Sequence, residues 1–90
     1  MSILGMDIGE MFNISSKLRG HSGDLQRLTA DIDALVREAM THWEGPDARQ
    51  FLEWWEHEHK PPMVAAQETL NRLSSAAKQA AVDQERISGA

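Results

Sequence analysis

With 90 residues, no cysteine and fourteen acidic against nine basic side chains, the chain is bounded to one small domain with no disulfide framework and no thiol chemistry. Acidic residues outnumber basic ones in both halves, 7 to 4 before Pro46 and 7 to 5 from it onward, which removes the positive field that DNA or RNA binding requires. A lone chain of this length buries little core for its surface, so association with a partner is the expected remedy.

The opening Met1-Ser2-Ile3-Leu4-Gly5-Met6-Asp7 has no basic n-region, no long apolar run and no small-residue cleavage site, so synthesis in the cytoplasm without a signal peptide is expected. No stretch of about 20 apolar residues is present, and no membrane-spanning helix is expected. A first helix is predicted over residues 7–43, with Asp7 as its N-cap and Glu10 completing a loose capping box. Within it a 3,4 spacing picks out Met11, Ile14, Leu18, His21, Leu25, Leu28, Ile32, Leu35, Ala39 and His42 as a coiled-coil seam. A second stripe is apolar at its ends (Ile8, Phe12, Val36, Met40, Trp43) and polar between, at Arg19, Gln26 and Asp33. Gly20 and Gly23 cost about 2 kcal/mol of helix propensity relative to alanine, so a bend or a break is expected there.

At the midpoint stands Trp43-Glu44-Gly45, followed by Pro46-Asp47. Glycine ends a helix in a conformation with positive φ, and proline suits the first turn of the next helix, so residues 44–46 read as a hinge. The second helix is predicted over residues 47–86, with a seam of Ala48, Leu52, Trp55, His59, Met63, Ala66, Leu70, Leu73, Ala77, Ala80, Gln84 and Ile87. A 4,4 step through Trp55, His59 and Met63 is a stutter that coincides with Pro61-Pro62, so a kink or a stop and restart is expected at residues 60–62. The closing residues 87–90 are expected to fray.

The fold class that follows is all-α: two long antiparallel helices in a hairpin hinged at Gly45. Such a hairpin covers one side of each helix, and the leftover apolar side chains Phe12, Val36, Met40, Phe51, Trp54 and Val64 are expected to meet a second hairpin in a four-helix bundle. Trp54 and Trp55 lie about 100° apart on a helix, which assigns Trp55 to the core and Trp54 to the interface.

The Trp43-Glu44-Gly45 hinge, followed by Ala48, Phe51, the Trp54-Trp55 pair, a proline and a Leu/Ala-rich second helix, resembles the W-x-G family of small proteins exported by type VII secretion systems. The resemblance spans nearly the whole chain. It implies a helical hairpin that forms a homodimer, or a heterodimer with a second W-x-G protein, and leaves the cell folded, as a pair. It also implies Trp43 and Gly45 as the turn motif, with a secretion ATPase or a partner's tail as what the turn meets. Members that carry the export signal end in Tyr-x-x-x-Asp/Glu, whereas this chain has no tyrosine. Placed on residues 81–85, the pattern keeps Glu85 and has Ala81 where the ring belongs. The chain therefore resembles the signal-less partner or adaptor of such a pair.

Other readings stand beside these. Trp43 can serve simply as a large side chain closing the hairpin end, and the whole chain can serve as a cytosolic coiled-coil adaptor unrelated to secretion. Glu56-His57-Glu58-His59 suggests metal binding, but histidines two apart point to opposite sides of a helix and the HExxH spacing is not met, so no metal and no cofactor are expected. His42 and His59 sit near the hinge, where protonation could loosen packing. No nucleophile elbow, phosphate loop or pocketed acid pair is present, so the chain is not expected to be an enzyme. Unpaired amphipathic helices can bind lipid, but the acidic surface opposes contact with anionic membranes.

Overall fold

The computed structural model describes residues 5–89. The signal-peptide reading of Met1 to Leu4 and, of the residues 87–90 expected to fray, Ala90 lie outside them, while residues 87–89 are helical. All of the regular structure among the described residues is helical: α1 (Ile8–His42), α2 (Pro46–Trp54), a π-helical turn (Trp55–His59) that continues from α2, and α3 (Lys60–Gly89). The molecule is a rod of 66 × 17 × 16 Å. Its partners across the long axis run in opposite order along the chain, Ser15 with Ser74, Ser22 with Gln67 and Asp33 with Lys60, so α1 and α3 pack antiparallel.

Asp7 begins α1 as expected, its Oδ1 accepting the Glu10 backbone N–H at 3.0 Å. The helix then continues without interruption through Gly20 and Gly23. Between these glycines the Ser22 hydroxyl donates to the Gln67 carbonyl of α3 at 2.9 Å, a tertiary tether that opposes the local preference for a break. Trp43, Glu44 and Gly45 separate α1 from α2. Trp43 has φ −145° and ψ 123°. Gly45 has φ 109° and ψ −177°, a region open almost solely to glycine. Gly45 is therefore required, but as the N-cap of α2 and not as a left-handed terminator of α1. Its carbonyl accepts from the Arg49 N–H at 3.1 Å, and Pro46 occupies the first helical position.

The second half bends without breaking. In the π-helical turn the Lys60 N–H reaches back five residues to the Trp55 carbonyl. This wider turn ends immediately before Pro61-Pro62, where the pyrrolidine rings would otherwise press on the carbonyls of the preceding turn. One extra residue is absorbed. Inward positions run Ala48, Leu52, Trp55, then skip five to Lys60, and resume as Met63, Gln67, Leu70, Ser74, Ala77, Ala81 and Gln84.

That phase differs from the one the hydropathy pattern predicts. The centre of the hairpin seam is Ser15, Ser22, Thr29 and Val36 on α1, facing Ser74 and Ala81 on α3. Met11, Leu18, Leu25 and Ile32 flank it, half-buried, while Ile14, Leu28, Leu35 and Leu73, expected inside, stand exposed. Small side chains let the backbones approach closely enough for hydroxyls to span them. Ser15 Oγ donates to the Ser74 carbonyl at 2.8 Å and Ser74 Oγ donates to the Ser15 carbonyl at 2.7 Å. Farther along, Thr29 Oγ1 donates to the Leu25 carbonyl and accepts from Gln67 Nε2. Among the described residues no buried side-chain polar atom lacks a partner, so the polar seam carries no desolvation deficit.

Two stability predictions follow from this packing. Ser74→Ala removes one reciprocal bond and should lower unfolding free energy by about 1 kcal/mol, whereas Ser74→Leu should cost about 1–3 kcal/mol by forcing the helices apart; urea melts of both rank them. Gly45→Ala should cost about 1–3 kcal/mol through backbone strain at positive φ, and Trp43→Phe less than that, as read by thermal melts. A Gly45→Ala melt equal to wild type would show that the hinge tolerates another conformation.

Candidate interaction surface

Helical geometry decides which side of the hairpin is available. In an antiparallel pair, positions one residue before the inward ones turn toward the same side on both helices. On that side lie Ile14, Leu28 and Leu35 of α1 with Leu73 and Ile87 of α3, from 38% exposed at Ile14 to 71% at Ile87. The opposite side carries Arg37, Asp33, Glu56 and Lys60, an ion-pair network. One face of the rod is thus apolar and the other charged.

The polar network fixes the π-helical turn to α1. Asp33 Oδ1 accepts from Trp55 Nε1 at 3.0 Å and from Lys60 Nζ at 3.1 Å. Its Oδ2 accepts from Arg37 Nε at 3.0 Å, and Arg37 also donates to Glu56 at 2.6 Å. These donors, the Trp55 indole first, then Arg37 and Lys60, hold the Asp33 carboxyl well below the usual carboxylate range. Trp55 is consequently anchored at both ends, its ring buried to 6% exposure and its N–H satisfied.

At the hinge end the apolar side opens into a hollow of about 280 Å³ lined by Ile32, Val36, Phe51, Trp54, Trp55 and His59. Trp54 stands 52% exposed at its rim, with His59 edge-on to its ring at a centroid distance of 4.1 Å. Trp43 packs on Phe51 at 5.5 Å and remains 42% exposed. It therefore both closes the hairpin end and presents indole surface to solvent.

Of the side chains that the sequence nominates for a partner, Val36 is buried within the hairpin, Phe12, Met40 and Phe51 are half-buried, and Val64 is exposed on the other side, beside Glu56 and Lys60. Trp54 is the most exposed of the six. The wider surface consists of residues that the spacing had assigned to the hairpin seam, Ile14, Leu28, Leu35 and Leu73. Their periodicity announced an apolar stripe, but periodicity carries no information about which neighbour covers it. Asp33, read as a polar interruption of the second stripe, is the hub of the network, and its i,i+4 relation to Arg37 was the available sign.

No group of three or more potential metal ligands occurs among the described residues, and no helix there is long and apolar enough to cross a membrane. The chain matches no protein-family model, no curated protein and no solved structure.

The Asp33 network gives a pH prediction. Because the folded carboxyl titrates below its unfolded value, its stabilisation is fully present above the unfolded pKa of about 3.9 and is lost as pH falls toward the folded one. Asp33→Asn should lower the melting temperature at pH 7, and the difference from wild type should shrink as pH falls below about 4. A difference that stays constant across that range would remove the carboxylate charge from the account.

Proposed function

We propose that this protein acts by pairing its apolar hairpin face with a second W-x-G-type hairpin, its own copy or another chain, to close a four-helix bundle. In this reading the pair is what a type VII secretion system handles, with this chain as a secreted substrate or as the subunit without an aromatic export signal. The observation that carries it is the exposure of Ile14, Leu28, Leu35, Leu73 and Ile87 on one side of a rod whose own seam is closed by small hydroxylated side chains. Covering a half-exposed leucine or isoleucine contributes about 1 kcal/mol. Ten such side chains across two hairpins give a total of about 10 kcal/mol, the scale of the association cost. The resemblance at Trp43-Glu44-Gly45 supports the secretion part, and Trp43 is exposed where a partner's tail or a secretion ATPase would meet it.

Sedimentation at micromolar concentrations tests the pairing. The wild-type chain, alone or with its partner, should sediment as a two-hairpin species, and Leu28→Glu combined with Leu73→Glu should dissociate it while helicity by circular dichroism is kept. A doubly charged variant that still associates would move the interface elsewhere. For the secretion part, Trp43→Arg should block export of both partners in a host carrying such a system. Efficient export of the wild-type chain with no partner present would overturn the signal-less role.

A further inference from the structure

The hollow beside Trp54 differs in chemistry from the stripe that leads to it. At about 280 Å³ it falls just under the range of drug-sized sites, about 300–1,000 Å³, and accepts one bulky side chain. Its walls are the aliphatic groups of Ile32 and Val36, the rings of Phe51, Trp54 and Trp55, and His59. The outer surface of Trp54 borders two further hollows that hold Glu53, Glu58 and Asp47. Those three carboxylates form no ion pair among the described residues, whereas Glu56 and Asp33 are held by Arg37 and Lys60.

The charge is unevenly distributed along the rod. Residues 25–67, the hinge half, carry eight acidic and four basic side chains, and the remainder carries six acidic and five basic. Nearly all of the net charge of −5 therefore lies in the hinge half of the rod. A second copy brings no basic surplus from either half, so it is an electrostatically poor occupant here.

We infer that the hinge end is a docking site for a basic segment of a different polypeptide, which inserts one bulky apolar side chain between Ile32 and Trp54 and places Lys or Arg against Glu53, Glu58 and the exposed face of the Trp54 indole. The aromatic walls supply the anchor's affinity and the carboxylates its orientation. A guanidinium or ammonium over the indole adds cation–π attraction. The hollow lies at the hinge end of the same apolar side, and its occupant is distinct from the second hairpin proposed above.

The test uses the full chain and a labelled synthetic helix of Lys and Ala with one central Phe, followed by fluorescence anisotropy. The peptide should bind saturably and weaken as salt rises. Replacing its Phe by Ala should weaken binding about tenfold, the loss of one buried anchor. Trp54→Ala, with helicity by circular dichroism equal to wild type, should do the same, and Glu53→Gln with Glu58→Gln should reduce affinity several-fold. The same helix with Glu in place of Lys should not bind. Absent binding of the Phe peptide, equal binding of the Ala peptide, or unchanged affinity in Trp54→Ala would each overturn the inference. Sedimentation of the same samples separates the two proposals: peptide binding confined to the dissociated Leu28→Glu, Leu73→Glu variant would mean that a second hairpin covers the hollow, which also overturns it.

Discussion

The reciprocal bonds between Ser15 and Ser74 set the geometry on which the rest of the molecule depends. A serine hydroxyl is short, so it reaches a carbonyl of the facing helix only when the two backbones run close together. That closeness holds because Ser22, Thr29, Ala77 and Ala81 keep the same line narrow. With the centre of the seam occupied by small groups, the leucines and isoleucines are displaced to its margin and beyond. The hairpin thereby gains a satisfied polar interior and leaves its larger apolar groups available for another surface.

The π-helical turn keeps this arrangement in phase past the two prolines. A regular helix from Ala48 onward would bring its inward positions one residue out of step with Ser74 and Ala81. The extra residue between Trp55 and Lys60 restores the step, and Asp33 fixes the turn by binding both of those side chains. Exchanges at Asp33 therefore act on the register of α3 as well as on a surface ion pair. The same turn sets Trp54 and His59 against each other at the rim of the hinge hollow, so the device that corrects the register also shapes the candidate docking site.

The length of the apolar side and its hinge end invite different chemistry. Along its length the apolar side offers aliphatic groups suited to another amphipathic helix. Near the hinge the aromatic groups concentrate and the unpaired carboxylates gather around them, which favours a basic partner.

The amino-acid sequence by itself determined the helical class, the hinge at Gly45, the N-cap at Asp7, the inward placement of Trp55 and the discontinuity near the prolines, because each rests on local chemistry: periodicity, a capping carboxylate, a glycine, missing backbone donors. Tertiary structure decided what local rules leave free. It carried α1 through Gly20 and Gly23 with the Ser22 tether, replaced a proline break by a π-helical turn, and chose Ser15, Ser22, Thr29 and Ser74 over Ile14, Leu28 and Leu73 for the hairpin seam. The reason for the last choice is that hydropathy ranks residues by their gain on leaving water and ignores how closely two backbones can approach. Where small hydroxyls can satisfy one another across the gap, close approach wins within the hairpin and the apolar stripe turns outward.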